Sequence, residues 1–162
     1  MKNILLKLSL HLLFPLSTQA QTISNLEEAL NNPTIVKELD LSNQELETLD
    51  NDIIKLIDLE ELNLDSNRLS SNSFPKDFSQ LKKLKKISVR HNAFRQLPKE
   101  ILDLPQLESL DYSANICLDS LRFPPKLSVL NLSNNLFRSG RILVNIWKLE
   151  HLEILNLSCN SN

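Results

Sequence analysis

Residues Leu59–Leu69 read LEELNLDSNRL, and a closely related pattern returns from Leu84 as LKKISVRHNAF. Apolar residues stand at relative positions 1, 4, 6 and 11, with Asn at position 9. Aligned on that pattern, the chain holds six copies, beginning at Val36, Leu59, Leu84, Leu107, Leu127 and Leu152. Their spacings are 23, 25, 23, 20 and 25 residues. Such a period belongs to stacked repeats, in which each unit buries its apolar face only against its neighbours.

Each position has a physical reading. A strand alternates its faces, so positions 4 and 6 turn inward and positions 3, 5 and 7 outward. Position 9 falls where the chain leaves the sheet, and backbone amides shielded there need new partners. An Asn side chain both donates and accepts. Asn67, Asn92, Asn115, Asn135 and Asn160 are therefore expected to form a structural ladder that bridges neighbouring turns. Gln44 interrupts the column in the first unit and predicts a looser terminal turn. Between the copies lie LDNDIIKLIDL from Leu49, FPKDFSQLKKL from Phe74 and LPKEILDLPQL from Leu97. Their apolar residues recur near helical spacing. The connection from Leu118 is shorter and holds Pro124-Pro125, which favours an extended path.

On these motifs the chain resembles the leucine-rich-repeat family, in the version with an LPxxIxxLxxL return segment, from Val36 to the C-terminus. The resemblance implies an α/β solenoid, a curved arc with a parallel β-sheet on its concave side and short helical or 3₁₀ segments on its convex side. It also implies a rigid scaffold for binding other proteins.

The expected organisation is a signal peptide over residues 1–20, an N-terminal capping helix over 21–35, and a repeat domain over 36–162 with five repeats and a partial sixth. The leader has Lys2 and Lys7 before an apolar stretch from Leu8 to Leu16, then Thr18-Gln19-Ala20 as a small-residue cleavage site. That layout predicts export to a secreted, periplasmic or cell-envelope location, and the stretch is too short to span a membrane. In ISNLEEALNN from Ile23, Ser24 and Glu27 have capping-box spacing, with Leu26, Ala29 and Leu30 on one face. The sixth copy reaches Asn162 at position 11. Its strand edge is expected to be the least stable part of the arc and a route to self-association.

The formal charge of −2 offers no general attraction to nucleic acid or membrane surfaces. The single Gly predicts a backbone that rarely needs positive φ. Cys117 at position 11 and Cys159 at position 8 stand two rungs apart, about 10 Å by strand spacing, so both thiols are expected to be free. His11, His91 and His151 form no metal-ligand spacing, and no phosphate loop or nucleophile elbow is present. No catalytic residue, metal or cofactor is expected. Trp147 is expected to pack on the convex side.

What remains is the outward face of the sheet. Its candidate partner-binding residues are Glu38, Asp40, Glu61, Asp65, Lys86, Arg90, Asp111, Asn131 and Asn156. Glu61 with Lys86 and Asp65 with Arg90 are placed to pair across strands. No aromatic residue points outward from these columns, so the usual ring anchors of tight interfaces are absent there. The leading reading is a non-catalytic protein-interaction module that binds a protein of unknown identity on the concave sheet. The alternative is a shortened recognition fragment of a larger leucine-rich-repeat enzyme or surface receptor.

Overall fold

The computed structural model describes residues 23–117, 121–137 and 141–160, with backbone alone for 141–143. The proposed leader lies outside the described residues. The six repeat copies place six three-residue strands side by side: β1 (Glu38–Asp40), β2 (Glu61–Asn63), β3 (Lys86–Ser88), β4 (Ser109–Asp111), β5 (Val129–Asn131) and β6 (Ile154–Asn156). All pair in parallel and in chain order. Position 4 is in register throughout, so Leu39, Leu62, Ile87, Leu110, Leu130 and Leu155 form one line of adjacent rungs.

The strands are short because the chain turns at position 8 in every unit. Asn43, Ser66, His91, Ala114, Asn134 and Cys159 all have φ between 52° and 57°, and Glu45 joins them in the first unit. This corrects the expectation drawn from glycine scarcity. Each coil spends a left-handed residue at position 8, and Asn43, His91 and Asn134 are of the types that adopt it most readily. For the others the conformation costs on the order of 1 kcal/mol or more. The strain is offset by the hydrogen bonds of the next residue, which the turn delivers into the coil.

Immediately after the turn, position 9 directs its side chain inward. Asn115 illustrates the result: its Oδ1 accepts from the Phe94 amide at 3.1 Å, while its Nδ2 donates to the carbonyls of Val89 at 3.0 Å and Tyr112 at 3.2 Å. Asn67, Asn92 and Asn135 repeat the arrangement, each accepting from a preceding-unit amide and donating to carbonyls of two units. Asn160 keeps the two donations, to Leu132 and Leu157, but its buried Oδ1 has no partner. The last rung of the ladder is thus half made.

Helix α1 (Leu26–Asn31) stands over the first coil and buries Ala29 against it. Its cap is Asn25, whose side chain accepts from the Glu27 amide at 2.7 Å, and not Ser24 as the capping-box spacing suggested. Ser24 serves another purpose. Its carbonyl accepts from the Gln44 side chain at 2.7 Å, so the residue that breaks the Asn column ties the cap to the first unit. The Asp40 amide also donates to the Ile23 carbonyl at 2.8 Å, which covers part of the β1 edge.

The return segments form 3₁₀ turns over Asn51–Lys55 and Phe78–Gln80 and short helices α2 (Lys99–Leu102) and α3 (Arg141–Ile146). From Leu121 to Pro124 no helix forms, in line with the prolines there. Ile53, Phe78 and Ile101 from these segments meet the strand residues in one continuous apolar core. Helix α3 buries Ile146, but Trp147 directly after it is 82% exposed, so the expected convex packing of the indole does not occur. Strand β6 is less covered than its neighbours, and Leu155 is 38% exposed. Cys117 is buried and Cys159 exposed, and neither is in a disulfide.

Phe74, Phe78, Phe94 and Tyr112 form an aromatic cluster through the middle coils. Ring centroids lie 4.9 Å apart for Phe74 and Phe78, 6.1 Å for Phe74 and Phe94, and 5.7 Å for Phe94 and Tyr112. Tyr112 is fully buried and its hydroxyl has no hydrogen-bond partner. Burial accordingly pushes its phenol well above the ordinary range.

Two substitutions test this account of stability. Replacing Asn115 with Ala leaves the buried Phe94 amide without an acceptor, and urea unfolding should show a loss of about 2 kcal/mol or more. A loss within error would remove the ladder from its structural role. Tyr112→Phe deletes a buried group that bonds to nothing and should hold or raise stability, by up to about 1 kcal/mol. A clear drop in the same measurement would mean that the hydroxyl has a partner after all.

Candidate partner-binding face

The outward columns of the sheet share a shallow open hollow of about 380 Å³. Glu38, Asp40, Glu61, Asp65, Lys86 and Asp111 line it, with the small residues Asn63, Ser88 and Ser109 between them. Of the residues expected at the face, Arg90, Asn131 and Asn156 stand outside this hollow. Arg90 is exposed beside it, and Asn131 and Asn156 continue the sheet toward the C-terminus.

Position 5 has a structural task that the repeat pattern alone did not reveal. Asp40 Oδ1 accepts from the Ser42 amide at 2.9 Å, closing the strand end in a local turn. Asn63, Asp111, Asn131 and Asn156 do the same for the amides of Asp65, Ser113, Ser133 and Ser158, at 2.9 to 3.1 Å. Asn and Asp side chains favour this two-residue reach. Ser88 at position 5 of the third unit is too short for it. There Asp65 reaches over from the neighbouring rung, and its Oδ1 accepts from the Arg90 amide at 2.8 Å and from the Ser88 hydroxyl at 2.5 Å.

That substitution corrects one expected pair. Asp65 meets the backbone of Arg90, and no ion pair joins its carboxylate to the guanidinium. The other pair is present, with Lys86 Nζ 2.5 Å from Glu61 Oε1. Glu61 accordingly holds the Lys86 ammonium above its ordinary range. Asp111 is occupied on both oxygens, by the Ser113 amide and by the Asn131 side chain at 2.9 Å. Ser113 and Ser133 at position 7 are also less outward than alternation suggested, at 3% and 6% exposed. The chain is already turning off the strand there, and the serine side chains are short enough to be covered by it.

A second charged column runs along position 2. Lys37 lies 3.2 Å from Glu60, and Glu60 lies 2.8 Å from Lys85. Hydrogen bonds from Lys85 and then Lys37 hold the Glu60 carboxylate below its ordinary range, while Glu60 raises Lys85. Glu108 stands on the next rung and adds to the field at Lys85. This alternation of sign is visible in the aligned repeats as Lys37, Glu60, Lys85 and Glu108, so the signal for it was present. Among the described residues, no group of three or more His, Cys, Asp or Glu is arranged to hold a metal ion. No described helix is long and apolar enough to cross a membrane.

A six-rung parallel arc with a polar concave sheet and an Asn ladder defines a repeat solenoid. The profile described as "Leucine rich repeat" matches residues 34–94 and 59–116, and a second of the same description matches 126–149. The chain belongs to the leucine-rich-repeat family. It is 34% identical over 136 residues to a probable inactive serine/threonine-protein kinase, roco10, of Dictyostelium discoideum, a match that takes in 80% of this chain. The chain spans only 5% of that relative's length. Among solved structures it is similar to the leucine-rich-repeat ectodomain of the receptor kinase SOBIR1 from Arabidopsis thaliana, at 29% identity and a TM-score of 0.56, covering 77% of this chain and 71% of that one. It is also similar to a chain of the LRIM1/APL1C complex, at 26% identity and a TM-score of 0.57, covering 82% of this chain and 27% of that one.

The position-2 column makes a titration testable. Because pairing lowers the Glu60 value, its contribution to stability is full above the ordinary carboxylate range and fades as pH falls through the lowered folded value. Carboxyl-carbon NMR should place the Glu60 midpoint below 4.5. Lys85→Gln should move it upward. A midpoint at or above 4.5 in the unmodified chain would show that the ladder of charges does not persist in solution.

Proposed function

We propose that this chain is a non-catalytic recognition module that seats a protein partner on its concave sheet. The observation that carries this reading is the open hollow on that face, lined by charged side chains on rigid neighbouring rungs. Charges at such a face set orientation and association rate more than raw affinity. Likeness to a protein solved as part of a complex and to a receptor ectodomain supports the same reading. In it, residues 1–20 direct export to an extracellular or envelope location, 21–35 cap the arc, and 36–162 form the recognition surface.

A second reading has the same face serve as the recognition part of a larger leucine-rich-repeat enzyme or surface receptor. The likeness to a kinase-named relative of which the chain spans 5% favours it. Both readings put the contact on the concave side.

Cross-linked capture from the native extract separates that side from the other. Glu38→Lys with Glu61→Lys should abolish retention of the partner, with unchanged circular dichroism. Lys76→Glu with Lys82→Glu, exposed on a return segment, should leave it intact. The opposite pattern would move the site to the convex face.

A further inference from the structure

The concave hollow is strongly one-signed. The carboxylates of Glu38, Asp40, Glu61, Asp65 and Asp111 line it, and Lys86 is the one cation in its lining. That lysine is itself held by Glu61. The fold does not require this concentration of charge. At position 5 the strand-end turn is closed equally by neutral Asn63, Asn131 and Asn156, at 3.0, 3.1 and 3.0 Å, and by Asp40 and Asp111, each at 2.9 Å. The negative charges of Asp40 and Asp111 are therefore surplus to the turn they make.

Holding also orients. One oxygen of Asp40 is fixed by the Ser42 amide, and one oxygen of Asp65 by the Arg90 amide and the Ser88 hydroxyl. Both side chains are half-buried. Each second oxygen is thus presented in a set direction, on neighbouring rungs and on a diagonal of about 7–8 Å, because Asp40 pairs with Asn63 and Asp65 lies two residues further on. Fixed anions at this spacing repel one another and favour a counter-charge that spans two rungs. A guanidinium is planar, weakly hydrated and carries several donors, which fits two carboxylates at once.

We infer that the occupant of the hollow is an extended segment of a partner protein carrying two or more Arg or Lys residues, laid across β1 to β4. This rests on the concave-face reading above and gives it a partner chemistry. Main-chain pairing is not involved, because β1 to β4 are already flanked within the sheet.

The test uses the isotopically labelled full chain and a synthetic peptide alternating Arg and Ser, with a Glu and Ser peptide and calcium chloride alone as controls. The Arg peptide should give saturable amide shifts confined to the rungs of β1 to β4, weakening about tenfold or more as salt rises from about 50 to about 200 mM. The variant Asp40→Asn, Asp111→Asn, Glu61→Gln keeps both turns and should bind at least about tenfold more weakly. Should that variant not fold, Glu61→Gln alone decides the matter by the same readout, with weaker binding expected. The inference is overturned by absent shifts, by equal shifts from the Glu peptide or from calcium, or by unchanged affinity in the variant. Capture of the partner distinguishes this failure from a broader one, using the same variant beside Val129→Lys with Ile154→Lys, farther along the concave face. Loss with the triple variant supports the basic segment. Loss only with the second pair leaves the concave face standing and removes the basic segment, whereas retention by both removes both.

Discussion

The arc depends on finding partners for backbone amides at the point where each strand ends. A coil that turns away from the sheet strands polar groups inside an apolar wall, where an unmade hydrogen bond is costly. One Asn in each of the second to fifth coils solves this by accepting from the preceding unit and donating to two carbonyls, as Asn115 does with Phe94, Val89 and Tyr112. The strained left-handed residue before it is the accompanying cost, and it is accepted even at Ser66 and Ala114. Apolar packing is then determined, because coils tied in register place Leu62, Ile87 and Leu110 on one line.

The same turn organises the candidate surface. Position 5 anchors its own strand end, so its side chain is fixed before any partner arrives. Where Ser88 cannot do this, Asp65 does it from the next rung. The concave face is therefore not a set of free charges on a flat sheet. Much of it is made of groups that already hold the backbone, and their remaining atoms face the hollow.

The repeat made the architecture readable, because stacked copies display inward and outward positions without ambiguity. Strand register, the Asn ladder and the Glu61–Lys86 pair could all be read from aligned columns. The left-handed position 8 was not, since Ser66, Ala114 and Cys159 are poor indicators of positive φ. Cap identity failed by one residue because Ser24 and Asn25 are both good caps, and the helix starts at Leu26, which puts Asn25 in the capping position. Asp65 pairs differently from the expectation because alternation predicts which face a residue occupies, not whether its nearest donor is a side chain or an amide. Trp147 shows the same limit at a helix end, where one residue changes the direction of the ring.

The interchangeability of Asp and Asn at position 5 has an evolutionary consequence. Those two residues are nearly the same shape and differ by one unit of charge, and the strand end accepts either. Lineages can thus repaint the electrostatic character of the inner wall, one rung at a time, without disturbing the scaffold underneath. The charge of that surface can change by steps that the fold barely registers.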